Sequence, residues 1–234
     1  MYGRLFLIPT PLGGDELSYV LPKSVFETVR KLDTFVVEEL RTARRFLSAA
    51  GLKGKIEGLE LYELNEHSTG QDAERYLQIL LEGRNVGLLS EAGLPAVADP
   101  GAALVRLAQE HDIEVVPLSG PSSLMLALMS SGMNGQSFAF NGYLPVKPQL
   151  RRESLRRLEK LSAQSGQTQI IIETPYRNDS LLADILAVCN ASTRICIAAD
   201  ITLPTQFIKT KTVAQWKKAA VTVGKRPCVF LISA

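Results

Sequence analysis

Apolar runs of strand length alternate with segments of helical period through the first half of the chain, and this alternation restricts the fold more than any other feature. RLFLIP (4–9) leads to a helix that Pro22 can open at its first turn, where a missing N–H is harmless. TFVVEE (34–39) leads into RTARRFLSAAG, which Gly51 terminates as a C-cap. IEGLELYEL (56–64) precedes DAERYLQILLEG, closed by Gly83. NVGLLS (85–90) precedes a helix after Gly101, and IEVVPL (113–118) precedes SSLMLALMSSG. Five such pairs predict a mostly parallel sheet, because parallel neighbours need a crossover long enough to hold a helix.

The second half reads differently. Its strand candidates are SFAFNGYL (137–144), QIIIET (169–174), RICIAAD (194–200), QFIKTKT (206–212) and PCVFLIS (227–233). Residues 200–206 are too few for a crossover helix, so the third and fourth candidates should pair antiparallel. The predicted class is therefore α/β with two α/β domains, residues 1–118 around a mostly parallel sheet and 119–234 around a mixed one.

Composition closes off several classes. With 234 residues, 46% hydrophobic and 21% charged, the chain can bury the core of one large or two small domains. It has no run of about 18 apolar residues, so no membrane partner is expected. MYGRLFLIPT reads as a first strand rather than a signal peptide. Cys189, Cys196 and Cys228 lie in apolar segments without CxxC spacing, which suits reduced, buried thiols in a cytoplasmic protein. The formal net charge of +2 is too small to indicate nucleic acid, and only KPQLRRESLRRLEK (147–160) stands out as basic.

Ligands of an open parallel sheet gather beyond the carboxyl ends of its strands. Three polar, turn-rich loops fall there: PTPLGGDE (9–16), SEAGLPAVADPG (90–101) and LSGPSS (118–123). Glycine and proline hold backbone close to a ligand, and a carboxylate accepts hydrogen bonds from ribose hydroxyls or an ammonium. Each loop alone could equally be a short turn in which Asp99 or Ser119 caps a helix. Three in one sheet favour a site. No GxGxxG follows a strand and no GxxxxGKS or GxxxxGKT occurs, which argues against a standard nucleotide site. His67 and His111 sit apart without zinc-ligand spacing, so no metal is expected, and His111 suits a helix C-terminus. Ser119, Ser122 and Ser123 lack a GxSxG context for nucleophilic chemistry.

LFLIPTPLG, EELRTARRFL, LLSEAGLPAVADPG, VVPLSGPSSLMLAL, FAFNGYLP and IIIETPYR stand in the order found in the tetrapyrrole methylase family, which the chain resembles over nearly its whole length. Within it they are most similar to the branch that methylates a ribose 2′-hydroxyl of cytidine in small-subunit ribosomal RNA. The resemblance implies a homodimeric methyltransferase with S-adenosylmethionine (SAM) bound in a cleft between two α/β domains. Carried onto this chain, it implies SAM contacts from Glu91, Ala92, Gly93 and Leu94 beside Pro9 and Pro11. Further contacts would come from Ser122 and Ser123 at a helix N-terminus, and from Tyr143, Pro145, Thr174 and Pro175. The chain departs from the branch at SEAGLP, where SDAGTP is usual, and at Leu40, where EDTRxT has a hydroxyl. It also has Gly14 where GNLxDIT has asparagine, and Leu203 where ARELTK ends in lysine. These changes bear on the substrate more than on the cofactor.

Methyl transfer to a ribose hydroxyl needs an in-line nucleophile and a group to take its proton. Glu38, Glu39 and Asp99 are the candidate bases, although Glu39 could instead pair with Arg41 or cap the following helix. For RNA the relevant cations are Arg41, Arg44 and Arg45 on one helix and Arg151, Arg152, Arg156, Arg157 and Lys160 on another. Leu155 and Leu158 give the second helix its apolar stripe, leaving its cations outward against two acids, Glu153 and Glu159. Such a surplus can follow a phosphate backbone, whereas Glu153–Arg157 pairing would make it an ordinary solvated face. Two other readings stay open. One is a methylase of a small molecule such as a tetrapyrrole, and the other a catalytically weak SAM-binding protein associated with the ribosome.

Overall fold

Every pair of neighbouring strands in the N-terminal half is parallel. The computed structural model describes residues 1–14, 16–65 and 67–234, and the chain divides into two units, Met1–Ser122 and Ser123–Ala234. The first unit holds strands β1 (Leu5–Ile8), β2 (Thr34–Val37), β3 (Glu60–Glu63), β4 (Val86–Leu89) and β5 (Val115–Pro117). Helices α1 (Lys23–Val29), α2 (Leu40–Leu47), α3 (Gly70–Leu81) and α4 (Ala102–Glu110) connect them. The strand order is β3-β2-β4-β1-β5.

Side chains alternate between the two faces of this sheet with the strand period of two. Leu5, Val36, Val86 and Leu88 pack with Leu77, Leu80 and Leu104 of α3 and α4. Ile8, Phe35, Val37 and Leu89 pack with Val25, Val29, Phe46 and Leu47 of α1 and α2. Burial on both faces explains why TFVV and VGLL read as continuous apolar runs. Pro22 stands at the N-cap of α1, one residue outside the turn it was expected to open. α2 runs on into a π turn, Ser48–Leu52, in which Gly51 takes φ +109°. β3 is shorter than its apolar run because Ile56–Gly58 forms a 3₁₀ turn.

The second unit contains α5 (Ser123–Ser131), β6 (Phe138–Tyr143), α6 (Pro148–Ser165), β7 (Thr168–Glu173), α7 (Asn178–Val188), β8 (Arg194–Ala199), β9 (Phe207–Thr212), α8 (Val213–Ala219) and β10 (Cys228–Ser233). Its sheet is mixed, in the order β6-β7-β10-β8-β9, with β6 and β7 parallel and the other pairs antiparallel. The short 200–206 link joins antiparallel neighbours, with Ala199 opposite Phe207. Trp216, Phe230, Leu155, Leu158 and Ile185 form the centre of the core, and the indole N–H of Trp216 donates to the Ile195 carbonyl at 2.9 Å. All three cysteines are buried and free, and burial pushes the Cys189 and Cys228 thiols up to about 12. Among the described residues no helix is long and apolar enough to cross a membrane.

Candidate functional site

Three loops leave the carboxyl ends of β1, β4 and β5, and two close contacts bind them together. Thr10, just past β1, and Gly93, past β4, exchange backbone hydrogen bonds of 2.9 and 3.1 Å. The Thr10 hydroxyl donates to the Ser90 carbonyl at 3.4 Å. Gly120, past β5, lies against Pro9 so tightly that a Cβ would sit 2.2 Å from the proline ring. No side chain fits there. The first proline loop and the 90–101 loop are therefore one continuous surface, with Pro9, Pro11, Glu91 and Gly93 brought into the same neighbourhood.

On the α2 side of this surface lies a cavity of about 340 Å³, within the size range of small-ligand sites. Thr10, Pro11, Thr42, Arg45, Ser90 and Glu91 are among its walls. Ala92, Gly93 and Leu94 do not line it. The loop residues Thr10 and Ser90 were legible as members of quoted motifs. Thr42 and Arg45 reach the cavity because α2 packs on the sheet face that carries Ile8 and Leu89.

Electrostatics separates the three candidate bases. β2 and β4 are sheet neighbours, so Glu38 and Glu91 emerge side by side, and the Glu91 amide donates to Glu38 Oε2 at 3.1 Å. Partial burial, and then the charges of Glu38 and Glu39, hold the Glu91 carboxyl above the usual glutamate range. Glu39 is the N-cap of α2: its two oxygens accept the Arg41 and Thr42 amides at 2.9 and 2.7 Å. Those backbone bonds lower its pKa. Asp99 likewise turns toward a helix start, its Oδ1 accepting the Gly101 amide at 2.6 Å. Burial raises its pKa, and its Oδ2 is buried with no hydrogen-bond partner among the described residues. Glu38 is the candidate whose carboxylate stands beside Glu91 rather than at a helix cap.

The remaining expected SAM contacts lie at the end of the first unit and in the second. Ser122 ends the first unit and Ser123 opens α5 in the second. Tyr143 and Pro145 follow β6, and Thr174 and Pro175 follow β7. Because β6 and β7 run parallel, these four residues share one end of the second sheet.

The cations need one correction. Arg151 was expected outward, yet it is only 5% exposed. Its guanidinium meets Asp184 Oδ2 on α7 at 2.7 and 2.5 Å, because position 151 falls on the face that packs on α7. It is a core ion pair, not a phosphate contact. Arg152 shares the same carboxylate at 2.6 Å while staying half exposed. Glu159 is buried too, accepting from the Asn190 amide and the Thr193 hydroxyl. Glu153 takes a bond from Gln149 instead of pairing with Arg157. Exposed Arg156, Arg157 and Lys160 therefore form no ion pair among the described residues, and the same holds for Arg44 and Arg45 on α2. Arg41 is exposed at the first turn of α2, beside Glu39.

Comparison with known proteins agrees with this architecture. A protein of Escherichia coli O157:H7 named ribosomal RNA small subunit methyltransferase I is 34% identical over 200 residues, 86% of this chain and 66% of that relative. The chain thus spans just under two thirds of that relative's length. A protein of the same name from Neisseria meningitidis serogroup A is 32% identical over 96% of this chain and 72% of its own length. Among solved structures, uroporphyrin-III C-methyl transferase from Thermus thermophilus, complexed with S-adenyl homocysteine, superposes with a TM-score of 0.60. It is 15% identical and covered over 99% of this chain and 97% of its own, a likeness of fold. The profile of the Tetrapyrrole (Corrin/Porphyrin) Methylases matches residues 4–216. The chain belongs to the tetrapyrrole methylase family.

Proposed function

We propose that this chain is a SAM-dependent methyltransferase acting on RNA of the small ribosomal subunit, at the ribose 2′-hydroxyl of a cytidine, and that it works as a homodimer. The observation that carries the reading is the cavity beyond β1 and β4. Its walls bring together Glu91, whose amide is held by the Glu38 carboxylate, and Arg45 of α2, which with Arg44 forms no ion pair among the described residues. The relatives' names supply the RNA and the exposed cations of α2 and α6 support it.

The donor set fits SAM. Glu91, in the cavity wall, can accept hydrogen bonds from ribose hydroxyls or an ammonium, and Thr10, in the same wall beside Pro11, is fixed by its backbone pairing with Gly93. Bound SAM supplies a methyl group on a good leaving group, so alignment of the acceptor matters more than acid–base strength. Glu38 is assigned the proton of the ribose hydroxyl. Arg44 and Arg45, with Arg156, Arg157 and Lys160, hold the phosphate backbone.

Incubation with methyl-labelled SAM, small-subunit RNA and a low-molecular-weight extract tests the proposal. Label should enter RNA and map by mass spectrometry to a 2′-O-methylcytidine. Label in the small-molecule fraction alone would instead identify a small-molecule methylase, and SAM binding without transfer a catalytically weak protein. Five phosphate contacts give a log–log salt slope of about −3.5 for single-stranded RNA. A flat dependence would remove the two helices from the RNA site.

A further inference from the structure

Tyr176 stands on the 3₁₀ turn Pro175–Arg177 that follows β7, and 78% of it is exposed. One exposed aromatic is ordinary. The bonding that holds this one in place is not. Behind it Glu173, with a fully buried side chain, accepts from the Thr174 amide at 2.7 Å and from Arg177 Nε and Nη2 at 2.9 and 2.6 Å. Beyond it Asn178, also fully buried, donates from Nδ2 to the carbonyls of Gly224 and Arg226 at 3.0 and 2.7 Å. Asp179 accepts the Val223 and Gly224 amides at 2.7 and 3.2 Å. Glu173 thus braces the turn from within, and four hydrogen bonds of Asn178 and Asp179, at the start of α7, clamp its far end to the 223–226 loop.

The clamp places the Lys225 ammonium 4.9 Å from the centre of the Tyr176 ring. An ammonium on one face polarises the ring and leaves the other face to solvent. Lys225 makes no ion pair among the described residues, so its charge remains available for an anion. Tyr143, 56% exposed, ends β6 at the same end of the sheet. A rigid aromatic face beside a free cation is the pairing that unpaired nucleotides use, with the base stacked and the phosphate neutralised.

We propose that Tyr176 and Lys225 form a stacking platform for an unpaired base of the RNA substrate, with the base on the open face of the ring and its phosphate at the ammonium. This rests on the RNA reading above and adds a contact that the sequence, poor in aromatics among its basic stretches, does not suggest.

The test uses the full chain and a single-stranded RNA oligonucleotide carrying one 2-aminopurine, followed by fluorescence and anisotropy. Tyr176→Ala should weaken RNA binding about 5- to 150-fold and abolish the quenching of 2-aminopurine, while Tyr176→Phe keeps both. Lys225→Gln should lower the magnitude of the salt slope by about 0.7. Thermal unfolding should change little in all three, because the ring is 78% exposed and its main contact is the exposed Lys225 ammonium. If Tyr176→Ala binds RNA as the parent does, the platform is wrong and the RNA reading stands. If the alanine variant loses SAM affinity and keeps RNA affinity, the ring serves the adenine of the cofactor and the proposal is overturned. A parent chain that binds no RNA overturns both.

Discussion

Replacing Asp184 with asparagine should weaken the fold while leaving SAM and RNA chemistry intact. The carboxylate is 4% exposed and is shared by two guanidinium groups, Arg151 at 2.5 Å and Arg152 at 2.6 Å. Burial alone would raise its pKa, but the hydrogen bonds and charges of Arg152 and Arg151 outweigh burial and hold it below the usual carboxylate range. Removing one partner of a buried pair strands the other, at a cost of about 3–5 kcal/mol. The lower end applies, because Arg152 is half in water and screened, and Arg151 keeps the Val146 carbonyl at 3.2 Å. A loss of about 3 kcal/mol is roughly 150-fold in the folding equilibrium.

The pH dependence has a definite sign. A carboxylate with a depressed folded pKa stabilises above its unfolded value, near 4, and that contribution fades as pH falls through the folded pKa. The gap between parent and Asp184→Asn should therefore be full at pH 7 and shrink at pH 3. Urea titration followed by circular dichroism at the two pH values measures it. The double variant Arg151→Met with Asp184→Leu should recover most of the loss. A variant within about 0.5 kcal/mol of the parent at pH 7, or a gap that stays constant down to pH 3, would refute the reasoning.

Other outcomes follow from the site. Glu91→Ala should weaken SAM about 10- to 150-fold by calorimetry; unchanged affinity would remove Glu91. The like charge of Glu38 helps to raise the Glu91 pKa, so Glu38→Gln should move the acid limb of SAM binding to lower pH, and a limb that stays put would contradict the coupling. Gly120→Ala forces a Cβ into the Pro9 ring and should destabilise by at least about 1–3 kcal/mol, measured by urea unfolding; a neutral result would mean the loops move apart freely. Light scattering should give about twice the 25.6 kDa chain mass, and a value near one chain would exclude the dimer.

Sequence by itself determined the elements whose cause is local. A strand buried on both faces reads as an apolar run such as TFVV or VGLL, and a seven-residue link cannot carry a crossover helix, so the parallel character of the first sheet and the antiparallel pair joined by 200–206 were legible from the sequence. The acid before α2 was visible as a cap or an ion-pair partner, and the structure shows the cap. The loop residues of the cavity were visible because three polar, turn-rich loops fall past the carboxyl ends of strands in one sheet, although each alone could have been a short turn.

Tertiary structure alone decided the rest, since it turns on residues far apart in the chain. The order β3-β2-β4-β1-β5 sets Glu38 beside Glu91, 53 residues later. Helical periodicity put Arg151 among five outward cations, but it could not reveal Asp184, which supplies a carboxylate 33 residues away and draws that arginine inward. Lys225 lies over Tyr176 only because Asn178 and Asp179 hold its loop. Propensity and period act within a few residues, whereas ion pairs, clamps and cavities form wherever the packed chain brings complementary groups within a few ångströms.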